Sequence, residues 1–188
     1  NHLAENDPLV SAEELLIKLD NLSELDDNNQ FELAINNLST QSSVEWYKQA
    51  SIQERMADLY SNRGQFLRAE EFYRQAIVNE SSENISTLRA VEQWINCLAR
   101  SAHHKNDVNE QIKQLMEAIQ YGESLLSLGK TSERFCIMGG IYKRLAEIAQ
   151  DPQNIENYLS KASEYYHQGE KCQRKLSMPN PYAMLNAW

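Results

Sequence analysis

Gly129-Lys130-Thr131 closes the stretch GESLLSLGKT, residues 122–131, and Gly-Lys-Thr is how a phosphate-cradling loop ends. Such a loop needs a glycine five residues before the second one, so that backbone N–H groups turn inward around the phosphate. Ser124 occupies that place, the glycine before it is Gly122, and no strand pattern precedes the stretch. Ile112, Leu115, Met116, Ile119, Leu125, Leu126 and Leu128 instead recur as they do along a buried helix. That spacing predicts helix–turn–helix punctuation, with Gly129 as a left-handed cap residue and Thr131 or Ser132 capping the next helix.

Other chemistry has equally thin support. His103 and His104 are adjacent, so on a helix they diverge and do not face one metal; His167 lies far along the chain. A nucleophilic pair of His103 with Cys136 can be drawn, against the plainer reading of a polar turn residue and a half-buried thiol. Glu70-Glu71 and Asp26-Asp27 are adjacent acids without the opposed geometry that acid–base catalysis needs. Cys97, Cys136 and Cys172 are odd in number and far apart, with no CxxC pair, which fits a reducing compartment rather than a disulfide or zinc site. The residues therefore predict no enzyme, no metal and no cofactor.

The elements that position these residues are read from composition and periodicity. Among 188 residues there are only four prolines and six glycines, with 41% hydrophobic and 24% charged side chains. Long unbroken runs rich in Leu, Ala, Glu, Gln, Lys and Arg predict an all-α protein. No run approaches the ~20 apolar residues of a membrane span, no secretory leader is visible, and a cytoplasmic location is expected. Asn84-Ile85-Ser86 matches a glycosylation acceptor by chance on this reading. The missing initiator Met and the apolar ending PYAMLNAW predict a domain cut from a longer chain. Net charge is −9, and residues 1–45 carry ten acids against Lys18 alone. Such a chain is a poor ligand for nucleic acid.

A first helix is expected from Ser11, with Leu15, Leu16 and Leu19 as its stripe, then a broken segment and a short helix over 31–38. From Ser43 the pattern strengthens through Val44, Tyr47, Ile52, Met56, Leu59 and Tyr60 to Gly64, with a partner helix over 65–79. Helices over 83–103, 107–128, 131–149 and 154–172 follow, with breaks at Asp151-Pro152 and at Met178-Pro-Asn-Pro181 before a terminal helical start. The division expected is an acidic N-terminal cap or arm over 1–42 and a repeat domain over 43–188.

The stretch ERMADLYSNRGQFLRAEEFYRQAI sets Ala57, Tyr60, Gly64, Ala69, Tyr73 and Ala76 in one register. It resembles the tetratricopeptide repeat (TPR), in which small residues let two antiparallel helices approach and aromatics fill the gaps. Weaker copies carry Leu98, Ala99, Ala102, Asn106, Gln111, Leu115 and Ala118, then Met138, Gly139, Tyr142, Ala162, Tyr166 and Gly169. The small residue recurs at Ala57, Ala99 and Gly139, wider than the standard 34-residue period. Eleven extra residues separate Tyr142 from Ala162, so that helix and its turn are expected to be stretched. This third copy resembles the TRAF-binding region of apoptosis signal-regulating kinases and bacterial proteins that couple TPRs to effector domains. The resemblance implies a right-handed solenoid of about three degenerate repeats behind an N-terminal helical cap, with a regulatory role in signalling or defence.

The first helix of each TPR lines a concave groove, which implies three sets of inward positions. The first is Ser51, Glu54, Asp58, Ser61 and Asn62; the second is Gln93, Asn96, Arg100, His103 and His104. The third is Glu133, Cys136, Gly140, Lys143 and Arg144. Glu54 and Asp58 stand where carboxylate-clamping TPRs carry Lys and Asn, which argues against that clamp. Arg100, Lys143 and Arg144 are expected to form a cationic pocket for an acidic segment or carboxylate, the chain's own acidic N-terminal arm being one possible occupant. The bland alternative is a solvated charged face. Asn62, Gln93, Asn96, Arg100, His103, His104, Lys143 and Arg144 are thus the expected partner-binding residues of a protein-interaction module. A small hydrolase and a small-molecule sensor remain the competing readings.

Overall fold

The structure, a computed structural model, describes residues 8–41, 48–78, 87–175 and 181–186. Among them every regular element is helical. The α-helices are α1 (Pro8–Asn21), α2 (Asn28–Gln41), α3 (Ala50–Asn62), α4 (Phe66–Val78), α5 (Leu88–Ser101), α6 (Val108–Leu128), α7 (Ser132–Ile148), α8 (Pro152–Lys175) and α9 (Pro181–Asn186). Short 3-10 turns follow α1 and α5, at Leu22–Glu24 and Ala102–His104. None of the described helices is long and apolar enough to cross a membrane. The fold is an all-α helical-repeat fold divided into two compact units, residues 1–91 and 92–188.

In the first unit, α1 begins at Pro8 and not at the expected cap Ser11. Ala12, Leu15 and Leu19 form the buried stripe. Asp27 then caps α2, accepting from the Asn29 and Gln30 N–H groups at 2.7 and 2.9 Å, which makes α2 longer than the expected 31–38.

Arg63 is one of the side chains that hold these N-terminal elements on the α3/α4 hairpin. Arg63 lies 3.6 Å over the Phe31 ring and donates from Nη2 to the Leu22 and Leu25 carbonyls at 2.8 and 2.7 Å. Within the hairpin Ala57, Tyr60, Ala69, Tyr73 and Ala76 are all buried. Gly64 turns the chain at φ 73°, a left-handed conformation that glycine adopts without the Cβ penalty. The expected helical positions Val44 and Tyr47 and the Asn84 acceptor lie outside the described residues.

In the second unit α7 is the central element, with Phe135 to Tyr142 continuously buried. Gly139 lets α8 come so close that an added Cβ would stand 2.9 Å from the Tyr166 ring. Gly169 faces back, 3.3 Å by the same measure from the Ser132 carbonyl. Gln114 ties α6 to α5, donating to the Leu98 carbonyl and to Ser101 Oγ at 2.7 and 2.8 Å.

Two expectations about turns are corrected here. Gly129 is extended, φ 166°, and is no left-handed cap. Buried Arg134 closes the end of α6 instead, donating from Nη1 to Leu125 O in its last turn at 3.0 Å and to Gly129 O just past it at 2.8 Å. Thr131 does cap α7, accepting from the Arg134 N–H at 3.2 Å. The stretched turn before Ala162 is absent as well: residues 149–151 suffice to reverse the chain. The additional residues lengthen α8, which starts at Pro152 behind the capping carboxylate of Asp151, 3.0 Å from Asn154 N–H.

Candidate functional site

The groove positions are best followed within the second unit. α5 presents Asn96 and Arg100 one turn apart, α7 presents Glu133, Cys136, Ile137, Gly140 and Arg144, and α9 adds Tyr182; together they enclose a cavity of about 230 Å³. A second cavity of about 160 Å³ is lined by Arg100 and Arg144 again, with His103, Gln111 and Glu147 among its walls. The two guanidinium groups therefore border both spaces.

Arg144 donates from Nη1 to the Gly140 carbonyl of its own helix at 2.8 Å. Among the described residues it makes no ion pair. Burial pushes its pKa down, and the neighbouring positive charge of Arg100 pushes the same way, against opposing contributions from Tyr182, Glu147 and Tyr166. A guanidinium stays charged under such pressure, so Arg144 is a poorly solvated positive charge with a second guanidinium, Arg100, beside it.

Gln93 lies behind this wall, its Nε2 donating to Glu133 Oε1 at 3.1 Å while Asn96 Nδ2 reaches Gln93 Oε1 at 3.4 Å. Lys143 is exposed and lines neither cavity. His104 is exposed too, and its ring stands 3.9 Å from that of His103. The rings do not diverge as they would on an α-helix, because α5 has tightened into the 3-10 turn there. The His103 ring Nδ1 donates to the Arg100 carbonyl.

Asn62 is exposed at the end of α3 and belongs to the first unit. Its neighbours Glu54 and Asp58 are already engaged. Glu54 accepts from the N–H and Oγ1 of Thr87 at 2.9 and 3.0 Å. Asp58 takes Arg89 bidentately at 3.1 and 2.9 Å and also accepts from the Tyr73 hydroxyl.

Sequence reasoning missed Tyr182. It lies beyond the last repeat register, and its ring meets that of Tyr166 edge-on at 6.0 Å. Burial pushes the Tyr166 hydroxyl pKa up, and its hydrogen bond with Tyr182 adds to the effect. Cys136 is pushed up to about 11, by burial first and by Glu133 second. That direction is the opposite of what a nucleophilic thiol requires. Its imagined partner His103 borders the other cavity. Among the described residues no three His, Cys, Asp or Glu side chains are grouped to hold a metal ion.

A scan against protein-family models matches residues 65–188 to the model described as Tetratricopeptide Repeats-Sensor (TPR-S). Neither the curated proteins nor the solved structures contain a match.

Proposed function

This chain belongs to the tetratricopeptide-repeat sensor family, and from that premise we propose that its second unit is a protein-docking module gripping a partner's carboxylate between Arg100 and Arg144. The observation that carries the reading is the pair of guanidinium groups bordering both cavities, with Arg144 desolvated and outside any described ion pair. A volume of about 230 Å³ suits one acidic side chain or a chain terminus and falls below the usual 300–1,000 Å³ of small-molecule sites. Asn96 and Tyr182 supply polar groups that orient such a carboxylate.

The occupant is an acidic segment of a separate protein rather than the N-terminal arm. Within the first unit Asp20 already pairs with Arg55 at 2.6 Å, Glu32 pairs with Arg68, and Asp27 caps α2. The family description names a sensor, and coupling partner occupancy to an effector, in signalling or defence, is the role this reading assigns. Cys97, Cys136 and Cys172 form no disulfide, which suits a reducing cytoplasm. A hydrolase built on Cys136 is disfavoured by its raised pKa.

The test is calorimetric titration of the full chain with a ring-free acidic pentapeptide, Gly-Glu-Glu-Asp-Glu. Arg100→Glu lowers affinity at least about tenfold, since charge-assisted bidentate pairs are the strong ones. Arg144→Lys does so less, because an ammonium loses the fork geometry. Unchanged affinity in Arg100→Glu, with an unchanged thermal melt, removes the proposal.

A further inference from the structure

The opposite side of α7 carries a larger feature that the Arg100–Arg144 site does not use. A cleft of about 970 Å³ runs along the seam of α7 and α8 and reaches the α6–α7 turn. Its order along the seam follows from the contacts. Lys161 lies 5.1 Å over the Tyr142 ring at one end. Tyr142 stacks on Tyr165 at 5.5 Å, and Tyr165 in turn lies 6.4 Å from Phe135. Beyond them Cys172 Sγ stands 4.0 Å from the Lys130 carbonyl, where Lys130, Lys171 and Arg174 close the far end.

We propose that this cleft is a second docking site, taking an extended acidic peptide segment with one aromatic residue flanked by carboxylates. Length argues for a peptide: from Lys161 to Arg174 the helix advances about 20 Å, the reach of roughly six extended residues. Charge argues for acidity. Four cations line the cleft against two carboxylates, Glu123 and Glu164; with Arg174 paired to Glu170 at 2.6 Å, Lys130, Lys161 and Lys171 still outnumber them, in a chain whose net charge is −9. The cations stand at the two ends with the three rings between them, so the carboxylates of a matching segment flank its ring. Aromatic rings stacked against Tyr165 and Phe135 bind beyond their buried area, and the half-exposed Tyr165 is the ring that a ligand reaches first.

The probe is the hexapeptide Glu-Asp-Trp-Asp-Glu-Asp, titrated by fluorescence anisotropy into the Arg100→Glu chain. That background removes the first site, so failure of one proposal is separable from failure of the other. Binding is expected to weaken at least tenfold in Lys161→Glu/Lys171→Glu, both exposed positions, and at least fivefold in Tyr165→Ala. The ring-free peptide with Ala in place of Trp is expected to bind at least tenfold more weakly than the probe. No measurable binding at millimolar peptide, or affinity indifferent to Lys161→Glu/Lys171→Glu, overturns the proposal. A free indole carboxylate matching the peptide's affinity overturns it as well, by showing that the cleft reads a compact aromatic anion and not an extended chain.

Discussion

Arg134→Ala is the substitution that most directly probes how single side chains hold the second unit together. It strands Glu92, which Arg134 Nε meets at 2.7 Å with both side chains largely buried, and leaves the Leu125 and Gly129 carbonyls open. Breaking a buried pair from one side costs about 3 kcal/mol, so a urea melt should fall by that amount. The double variant Glu92→Gln/Arg134→Met should lose distinctly less, because no bare charge remains. Gly139→Ala pushes a methyl onto the buried Tyr166 ring and should cost about 1–3 kcal/mol as overpacking, read from the same melts. Thiol alkylation at pH 8 should modify half-exposed Cys172 before Cys136, whose thiol is protonated up to about pH 11. Folding favours the protonated thiol, so this contribution to stability is complete below the unfolded pKa near 9. It is lost as pH climbs from 9 to about 11. A Cys136→Ser chain should show a flatter stability profile across that window.

Helices and turns show what was legible in the sequence. The α3/α4 hairpin was readable because Ala57, Ala69 and Ala76 against Tyr60 and Tyr73 is a pattern that close helix packing demands, and every one of those residues is buried. Gly64 was readable for the same local reason. Its Cβ position is open space, so Gly64→Ala isolates backbone strain and should cost about 1–2 kcal/mol by thermal melt. The end of α6 was not readable: a guanidinium from the next helix replaces the glycine cap, and pairing across a turn leaves no mark in spacing. The short turn before α8 was missed because the repeat template counts residues between contacts and does not say whether they extend a helix or a loop. Six groove positions, Asn96, Arg100, Glu133, Cys136, Gly140 and Arg144, do line one cavity. Lys143 does not, since it faces outward beside Arg144. Tyr182 lies beyond the reach of any repeat register.

At the scale of the molecule, charge decides what can dock. The acids crowd into residues 1–45, and those of the described N-terminal helices that form ion pairs with α3 and α4 stay within the first unit. The second unit carries Arg100 and Arg144 on one side of α7 and Lys130, Lys161, Lys171 and Arg174 on the other, and the docking proposals rest on those two groups of cations. Its affinity for acidic peptides should fall about tenfold between 50 and 300 mM salt, as screening of partly exposed charge requires. The measurement that bears most directly on the docking role is the calorimetric titration of Gly-Glu-Glu-Asp-Glu into the native chain and into Arg100→Glu. Saturable, salt-sensitive binding that Arg100→Glu weakens at least tenfold is the predicted result. Equal binding by the two chains, or none by the native one, contradicts it.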